Sequence, residues 1–171
     1  MKQTTLITGA SNGIGLEFAK LCASKNENLV LTARSEDKLQ ALKSELEQQH
    51  GVDVRILALD LSLPGAAKTL HEFTTKSGVI ISTLINNAGI GGHGYFHEQD
   101  LAKHQAMIQL NMTALTELCH YYSTDMVVNG GGRILNVSST ASFMPGPLQA
   151  VYYASKSYVT SLSQALAEEL K

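Results

Sequence analysis

The sequence predicts an α/β domain in which a doubly wound parallel sheet of five strands lies between two layers of helices. Two observations point to this three-layer fold. Short β-branched or aliphatic runs alternate with longer helical stretches, as parallel strands and their crossover helices do. The first of these runs also leads directly into a glycine-rich turn, Thr8-Gly9-Ala10-Ser11-Asn12-Gly13-Ile14-Gly15, after which a helix begins. We therefore expect a single domain over residues 1–171.

The strands are predicted from the short apolar runs. Several of these runs are continuous rather than alternating, as Ile56-Leu57-Ala58-Leu59 shows, and this is typical of strands that helices cover on both faces. The five predicted strands are Thr4–Thr8, Asn28–Ala33, Asp53–Leu59, Ser82–Asn86 and Arg133–Ser138.

The helices are predicted from the longer segments between the strands. Ser35 is a suitable N-cap for the second helix, and Glu36 and Asp37 place negative charge in its first turn, where the helix dipole favours it. The fourth helix is apolar on two sides, which predicts burial on both, either within the core or against another molecule. The predicted helices are Gly13–Lys25, Glu36–His50, Gly65–Lys76, Leu101–Val128 and Val151–Lys171.

The composition argues against several classes of function. Thirteen basic and fifteen acidic residues give a net charge of -2, so electrostatics do not favour nucleic acid or an anionic membrane as a partner. No apolar run reaches the ~18 residues of a membrane-spanning helix, and no signal peptide is recognisable. The two cysteines, Cys22 and Cys119, fall in predicted helices and are better explained as buried apolar residues than as a disulfide. We expect a soluble, cytoplasmic protein.

The glycine-rich turn predicts a Rossmann-like nucleotide site. Glycines at this point let the backbone approach a pyrophosphate, whose charge the amides at the helix N-terminus would meet. The spacing of Gly9, Gly13 and Gly15 is Gly-x-x-x-Gly-x-Gly, which differs from the Gly-x-Gly-x-x-Gly fingerprint. Tight turns also use glycine without any ligand. The position at the first strand–helix junction nevertheless favours a phosphate site.

Arg34, at the end of the second strand, favours NADP over NAD. An NAD site usually has a carboxylate there for the adenosine 2′-hydroxyl, and this sequence has Thr32-Ala33-Arg34 with no acid before Glu36. A guanidinium would instead form charge-assisted hydrogen bonds to a 2′-phosphate. The alternative is that Arg34 is an ordinary solvated surface residue.

Tyr152 and Lys156 are candidates for acid–base chemistry because they lie four residues apart, on one face of a predicted helix. Reduction of a carbonyl needs a proton donor for the developing alkoxide, and a nearby ammonium favours the phenolate form of a tyrosine. Such pairs also occur by chance. Ser139 follows the fifth strand and could bind a substrate oxygen, whereas Asn111 is polar among apolar neighbours and could equally be a buried amide that satisfies backbone groups.

Together these motifs, in register over all 171 residues, closely resemble the short-chain dehydrogenase/reductase family. The glycine-rich turn is similar to its cofactor motif, and Asn86-Asn87-Ala88-Gly89 to the motif that steadies its central sheet. The resemblance implies hydride transfer between NADP(H), with NAD(H) less favoured, and a small carbonyl or alcohol substrate. The cofactor-binding residues that it implies are Gly9, Ser11, Asn12, Gly13, Ile14, Gly15, Arg34, Asp60, Leu61, Asn87, Ala88, Gly89, Tyr152 and Lys156.

The resemblance also implies a catalytic tetrad. Tyr152 would be the acid/base, with Ser139 orienting the substrate oxygen. Lys156 would bind the nicotinamide ribose and depress the tyrosine pKa, and Asn111 would hold a proton-relay water. The adjacent Tyr153 lacks a lysine four residues on and is not expected to be catalytic.

Two features depart from the family pattern. Asn12 stands where many NADP-using members carry a basic residue. The chain also stops at Lys171, whereas members continue through two more strands, which predicts an exposed edge at the fifth strand and an incomplete substrate pocket. A truncated family member or a fragment that binds NADP(H) without turnover is therefore an alternative to an active enzyme.

Further expectations concern histidines and oligomers. None of the six histidines has metal-ligand spacing, so no metal site is expected. His93 and His97 flank a glycine-rich loop and could touch substrate, although solvated loop histidines are the simpler interpretation. Family members commonly pair through the two helices that correspond to Leu101–Val128 and Val151–Lys171, so a homo-oligomer is expected.

Overall fold

The computed structural model describes residues 3–171 and confirms the predicted α/β fold. Five parallel strands form one sheet in the order β3-β2-β1-β4-β5. The order reverses at β1, which lies between β2 and β4, and ligands bind at such a point in doubly wound sheets. The strands are β1 (Thr4–Thr8), β2 (Asn28–Ala33), β3 (Val54–Ala58), β4 (Thr83–Asn86) and β5 (Arg133–Asn136).

Helices cover both faces of this sheet. Ser35 lies at the N-cap position of α2, but its side chain makes no capping hydrogen bond, so the prediction of a side-chain cap is wrong. The helix ends at Gly51, whose left-handed φ of +63° terminates it. The helices are α1 (Gly13–Ser24), α2 (Glu36–His50), α3 (Ala66–Lys76), α4 (Leu101–Ile108), α5 (Leu115–Val128) and α6 (Ala150–Glu169), with short 3-10 turns at Phe96–Glu98 and Thr140–Phe143.

Successive residues of the central strands face opposite helical layers. Ile7 and Leu31 belong to the core cluster that contains residues of α1 and α2, whereas Leu6 and Val30 belong to the cluster that contains residues of α3 and α5. All four side chains are fully buried. The strands read as continuous apolar runs because each face of the sheet is a core.

The fourth predicted helix, Leu101–Val128, is not one continuous α-helix. A π-helical segment, Gln109–Ala114, separates α4 from α5. Such segments are local expansions of an α-helix and often occur at functional sites. They are difficult to predict because the apolar spacing of an α-helix is kept on either side.

The second apolar side of the predicted fourth helix, formed by Met107, Leu110 and Ala114, packs within the chain. Met107 and Ala114 are buried, and Leu110 and Ala114 pack in the core cluster that contains Leu6. Of the two alternatives for this side, burial in the core therefore holds at these residues.

β5 lies at the edge of the sheet. It pairs with β4 on one side, and Leu135 is 43% exposed. Within residues 3–171, no strand pairs with its other side. In the same part of the chain, no helix is long and apolar enough to cross a membrane.

Candidate active site

The glycine-rich turn follows β1 and lines a cleft of about 340 Å³ at the carboxyl edge of the sheet. Gly9 and Gly13 have left-handed φ angles of +68° and +56°, which other residues adopt only at a cost. Gly15 is needed for a different reason, because a Cβ there would collide with the carbonyl oxygen of Gly9. Asn12 precedes α1 without a side-chain capping bond, and the first turn of α1 has no acidic residue. Neither Asn12 nor a side chain in the first turn of α1 therefore compensates the positive end of the helix dipole.

Thr8 and Asn87 join β1 to the end of β4 beside this turn. The Thr8 hydroxyl accepts hydrogen bonds from the amides of Asn87 at 3.0 Å and Ala88 at 2.9 Å. The Asn87 side-chain amide donates to the carbonyl oxygens of Thr8 at 3.0 Å and Gly9 at 3.3 Å. These bonds fix the floor of the cleft at the point where the strand order reverses.

Asn86, which precedes Asn87, is the last residue of β4. It is buried, and its amide donates to the side-chain oxygen of Asn136 on β5 at 2.9 Å. Asn136 in turn donates to the Ser163 hydroxyl of α6 at 2.9 Å. This chain of side chains connects β4, β5 and α6, and so connects the cleft floor to the helix that carries Tyr152.

The cleft lining also includes two charged residues, Arg34 and Asp60. Arg34 follows β2 and is exposed. Asp60 accepts hydrogen bonds from the hydroxyl of Ser62 at 2.7 Å and its amide at 2.9 Å. The Ser62 hydroxyl, with a smaller contribution from the Arg34 guanidinium, holds the pKa of Asp60 below its ordinary value. At neutral pH the cleft therefore offers a carboxylate beside an exposed guanidinium.

Asn111 lies in the π-helical segment and is 1% exposed. Its side chain pairs with both main-chain groups of Ile90: Oδ1 accepts from the amide at 3.0 Å and Nδ2 donates to the carbonyl at 2.9 Å. Nδ2 also donates to the Ser155 hydroxyl at 3.0 Å. Both amide hydrogens are thus used, and the residue joins the loop after β4 to α6.

Lys156 extends from α6 to the end of the cleft. Its ammonium donates to the Val137 carbonyl at 2.8 Å, and the residue is 6% exposed. A Cβ on Gly89, which lines the cleft, would lie 3.5 Å from Lys156 Nζ. Burial lowers the pKa of Lys156 from its ordinary value, because the charged form loses hydration.

Tyr152 lies one helical turn before Lys156, whose Nζ is 6.0 Å from the centre of the phenol ring. A Cβ on Gly91 would lie 3.4 Å from Cδ2 of this ring, so the ring packs on the loop after β4. Ser139 follows β5, and its hydroxyl oxygen accepts a hydrogen bond from the Ala141 amide at 3.1 Å. The hydroxyl hydrogen of Ser139 remains available to another acceptor.

Most of the candidate cofactor residues share the cleft, but three do not. Gly15 packs against Gly9. Lys156 lies beside Gly89, and neither Lys156 nor Tyr152 lines the cleft itself. His93 and His97 are exposed on the loop after β4. The candidates that line the cleft are Gly9, Ser11, Asn12, Gly13, Ile14, Arg34, Asp60, Leu61, Asn87, Ala88 and Gly89.

Ser155 is a site residue that sequence reasoning missed. It is fully buried, accepts from Asn111 and donates to the Tyr152 carbonyl at 2.7 Å. Its only signal in the sequence is a small polar residue just before Lys156, which does not reveal a partner 44 residues away.

Comparison with known proteins agrees with this arrangement. The family model for short chain dehydrogenase matches residues 3–171. This chain belongs to the short-chain dehydrogenase family. A short-chain dehydrogenase from Sphingobium yanoikuyae, solved in complex with NADPH, superposes with a TM-score of 0.92 at 38% identity, covering 98% of this chain and 65% of that one.

Curated relatives within the family include a 7beta-hydroxysteroid dehydrogenase from Collinsella aerofaciens, 30% identical over 96% of this chain and 62% of the relative. A very-long-chain 3-oxoacyl-CoA reductase from Pyrenophora tritici-repentis is 35% identical over 97% of this chain and 50% of the relative. The chain thus spans between half and two thirds of the length of these two relatives.

Proposed function

We propose that this member of the short-chain dehydrogenase family transfers hydride between NADP(H) and a carbonyl or alcohol compound. The observation that carries the proposal is the continuity of the cleft with the acid–base pair. Gly89 lines the cleft and at the same time lies beside the Lys156 ammonium, which is 6.0 Å from the ring centre of Tyr152. A dinucleotide extended along the cleft would therefore bring its far end to the phenol.

The cleft residues fit NADP(H) in shape and charge. Gly9 and Gly13 let the backbone approach the diphosphate, and the uncompensated dipole of α1 favours a negative charge there. Arg34 supplies the guanidinium that a 2′-phosphate requires. The NADPH complex of the Sphingobium relative supports the same cofactor. Bound NADP(H) would supply or accept the hydride.

Side chains of this chain would handle the proton. Tyr152 donates its phenolic proton to the substrate oxygen during reduction and removes it during oxidation. The free hydroxyl hydrogen of Ser139 orients that oxygen. Lys156 would bind the nicotinamide ribose, and its ammonium provides positive charge near the phenol. Asn111 holds the loop after β4 on α6, and its relay water remains a prediction.

The loops around Tyr152 favour an apolar substrate. Tyr95 and Phe96 are each 61% exposed on the loop that contacts the Tyr152 ring. Phe143 and Met144 are 77% and 58% exposed on the loop after Ser139. The steroid and long-chain oxoacyl relatives act on compounds with large apolar parts, in agreement with this surface. We therefore expect ketones with apolar substituents to be better substrates than sugars.

NADPH oxidation against a panel of ketones and sugars tests the activity. Tyr152→Phe should lower turnover at least ~100-fold, because general acid–base catalysis contributes about 10²–10⁴-fold. Tyr153→Phe is the matched control and should keep wild-type turnover, since this neighbouring phenol has no lysine four residues on. Equal rates in wild type and Tyr152→Phe would refute the proposal.

A second candidate is a protein that binds NADP(H) without turnover. Its basis is the nucleotide cleft alone, whose lining residues account for cofactor binding without any substrate contact. Calorimetry would then show NADPH binding in the micromolar range, while the ketone panel would show no oxidation. Any activity that Tyr152→Phe abolishes would eliminate this candidate.

A further inference from the structure

His104 is a buried histidine that the proposed reaction does not use. It lies on α4 and is 6% exposed. Its Nε2 donates to the Phe96 carbonyl at 3.3 Å, and its ring stacks on the Phe96 ring with centroids 4.8 Å apart. One side chain therefore holds both the main chain and the ring of Phe96.

The other ring nitrogen, Nδ1, is buried and has no hydrogen-bond partner within residues 3–171. A carbonyl oxygen can only accept, so Nε2 must carry a proton, and Nδ1 of the neutral ring is then an acceptor. His104 and Tyr152 both line a small cavity of about 20 Å³.

Phe96 ends the segment that contacts the Tyr152 ring. We call residues 90–96 the glycine loop. Asn111 holds its first residue by both main-chain groups. In the middle, the Gly94 amide donates to the Leu148 carbonyl at 2.9 Å, and Gly94 accepts from the Gln99 side chain at 2.9 Å. His104 supplies the third attachment, at the end of the loop.

The attachment at Leu148 is itself strained. Leu148 has a left-handed φ of +66°, which is unfavourable for a branched residue, and it lies four residues before Tyr152. The glycine loop is therefore hydrogen-bonded to a strained residue that lies two positions before the start of α6. Without the His104 hydrogen bond, the middle of the loop would be held only by the Gln99 bond and by the bond to the strained Leu148.

We propose that His104 is a positioning residue. In its Nε2-protonated form it fixes the glycine loop against the Tyr152 ring and so shapes the wall that a substrate meets. The effect on substrate rests on the proposed function, whereas the tautomer and the loop attachment do not.

The ligand-free protein tests the attachment directly. Long-range proton–nitrogen NMR correlations should show that His104 carries its proton on Nε2 and that Nδ1 is unprotonated. The opposite tautomer would overturn the proposal. His104→Phe keeps an aromatic ring but removes the donor. We expect it to speed amide exchange at Gly94 and Glu98 about tenfold, as loss of a local tie would.

Two further variants separate the hydrogen bond from general damage. His104→Gln keeps an N–H donor, so its loop amides should exchange within about threefold of wild type. His93→Phe changes an exposed histidine of the same loop and should leave exchange unchanged. NADPH affinity should stay within about twofold in all variants because neither His93 nor His104 lines the nucleotide cleft. Wild-type exchange in His104→Phe would overturn the attachment.

Kinetics then test the consequence for substrate. With the ketone that wild type reduces fastest, His104→Phe should raise KM about tenfold, with a smaller change in kcat and an unchanged KM for NADPH. Rescue of the ketone KM by His104→Gln is expected. An unchanged ketone KM together with altered exchange would overturn the positioning role. If no ketone is reduced at all, the proposed function fails, while exchange and NMR still decide the attachment.

Discussion

At the scale of single residues, Lys156 combines a buried charge with a proposed catalytic role. Burial lowers its pKa, so the charged form is less favourable in the folded chain than in the unfolded one. Lys156→Met should therefore abolish most turnover, at least ~100-fold, with little loss of stability. We expect unfolding free energies at pH 7 within about 1 kcal/mol of wild type, because removing the buried charge offsets the lost bond to Val137.

The same residue predicts a pH effect of defined sign. Between the lowered folded pKa and the ordinary value of 10.5, the unfolded chain binds more protons at this site. Wild-type stability should therefore rise with pH across this window relative to Lys156→Met. Urea titrations of both proteins from neutral pH to pH ~10.5 measure the difference. Identical pH slopes would contradict the assignment.

The two cysteines predict slow thiol chemistry. Burial, with the nearby Glu27 carboxylate, raises the pKa of Cys22 to about 11, and burial also raises the pKa of Cys119. Because the thiolate is the reactive form, neither should react with a disulfide reagent at pH 8 in the folded protein. Both should react once urea unfolds the chain, and Cys22→Ala should remove one equivalent. Rapid labelling of the folded protein would contradict this prediction.

The sequence predicted some site residues better than others. Tyr152 and Lys156 could be predicted from the sequence because both lie on one helix, four positions apart. The contacts of Asn111 with Ile90 and Ser155 could not be predicted, since they depend on a π-helical segment that leaves no pattern in the apolar spacing. His104 was missed for a similar reason. A histidine on an apolar helix face is not distinctive until its neighbours, above all Phe96, are known.

At the scale of elements, the order of strands and helices followed from the sequence, and their ends followed less well. The prediction Asp53–Leu59 overran β3 at both ends, and Arg133–Ser138 overran β5 by two residues. The overrun after β5 has a physical reason. Val137 still donates its amide to the Asn86 carbonyl, so the chain stays extended while it turns toward Ser139.

The exposed edge of β5 carries a prediction about association. A parallel edge strand with an exposed leucine offers unpaired main-chain groups and apolar surface to another copy. The 171-residue chain should therefore associate as its concentration rises. Leu135→Lys should reduce this association, whereas Leu21→Lys, which changes a leucine of α1 with a similar exposure (50%), should not. Light scattering of the three proteins over a concentration series measures the effect, and equal association in all would contradict it.

At the scale of the whole molecule, the contacts across the sheet predict one cooperative unit. Asn86, Asn136 and Ser163 connect β4, β5 and α6 by side-chain hydrogen bonds, and Asn111 connects the loop after β4 to the same helix. We therefore expect the nucleotide cleft and the acid–base pair to unfold together. We expect a single thermal transition, and the domain assignment to residues 1–171 depends on it.

NADPH binding would report on that cooperativity and on Arg34 together. At a concentration 100 times Kd, a ligand adds about 2.7 kcal/mol, which for a chain of this size raises Tm by roughly 5–10 °C. At the same concentration NADH should raise Tm less, because NADH lacks the 2′-phosphate that Arg34 would bind. In Arg34→Ala the advantage of NADPH should disappear, while the shift with NADH should stay as in wild type. Calorimetric scans decide between the outcomes. Two separate transitions, of which NADPH moves only one, would show that the cleft and α6 do not fold as one unit.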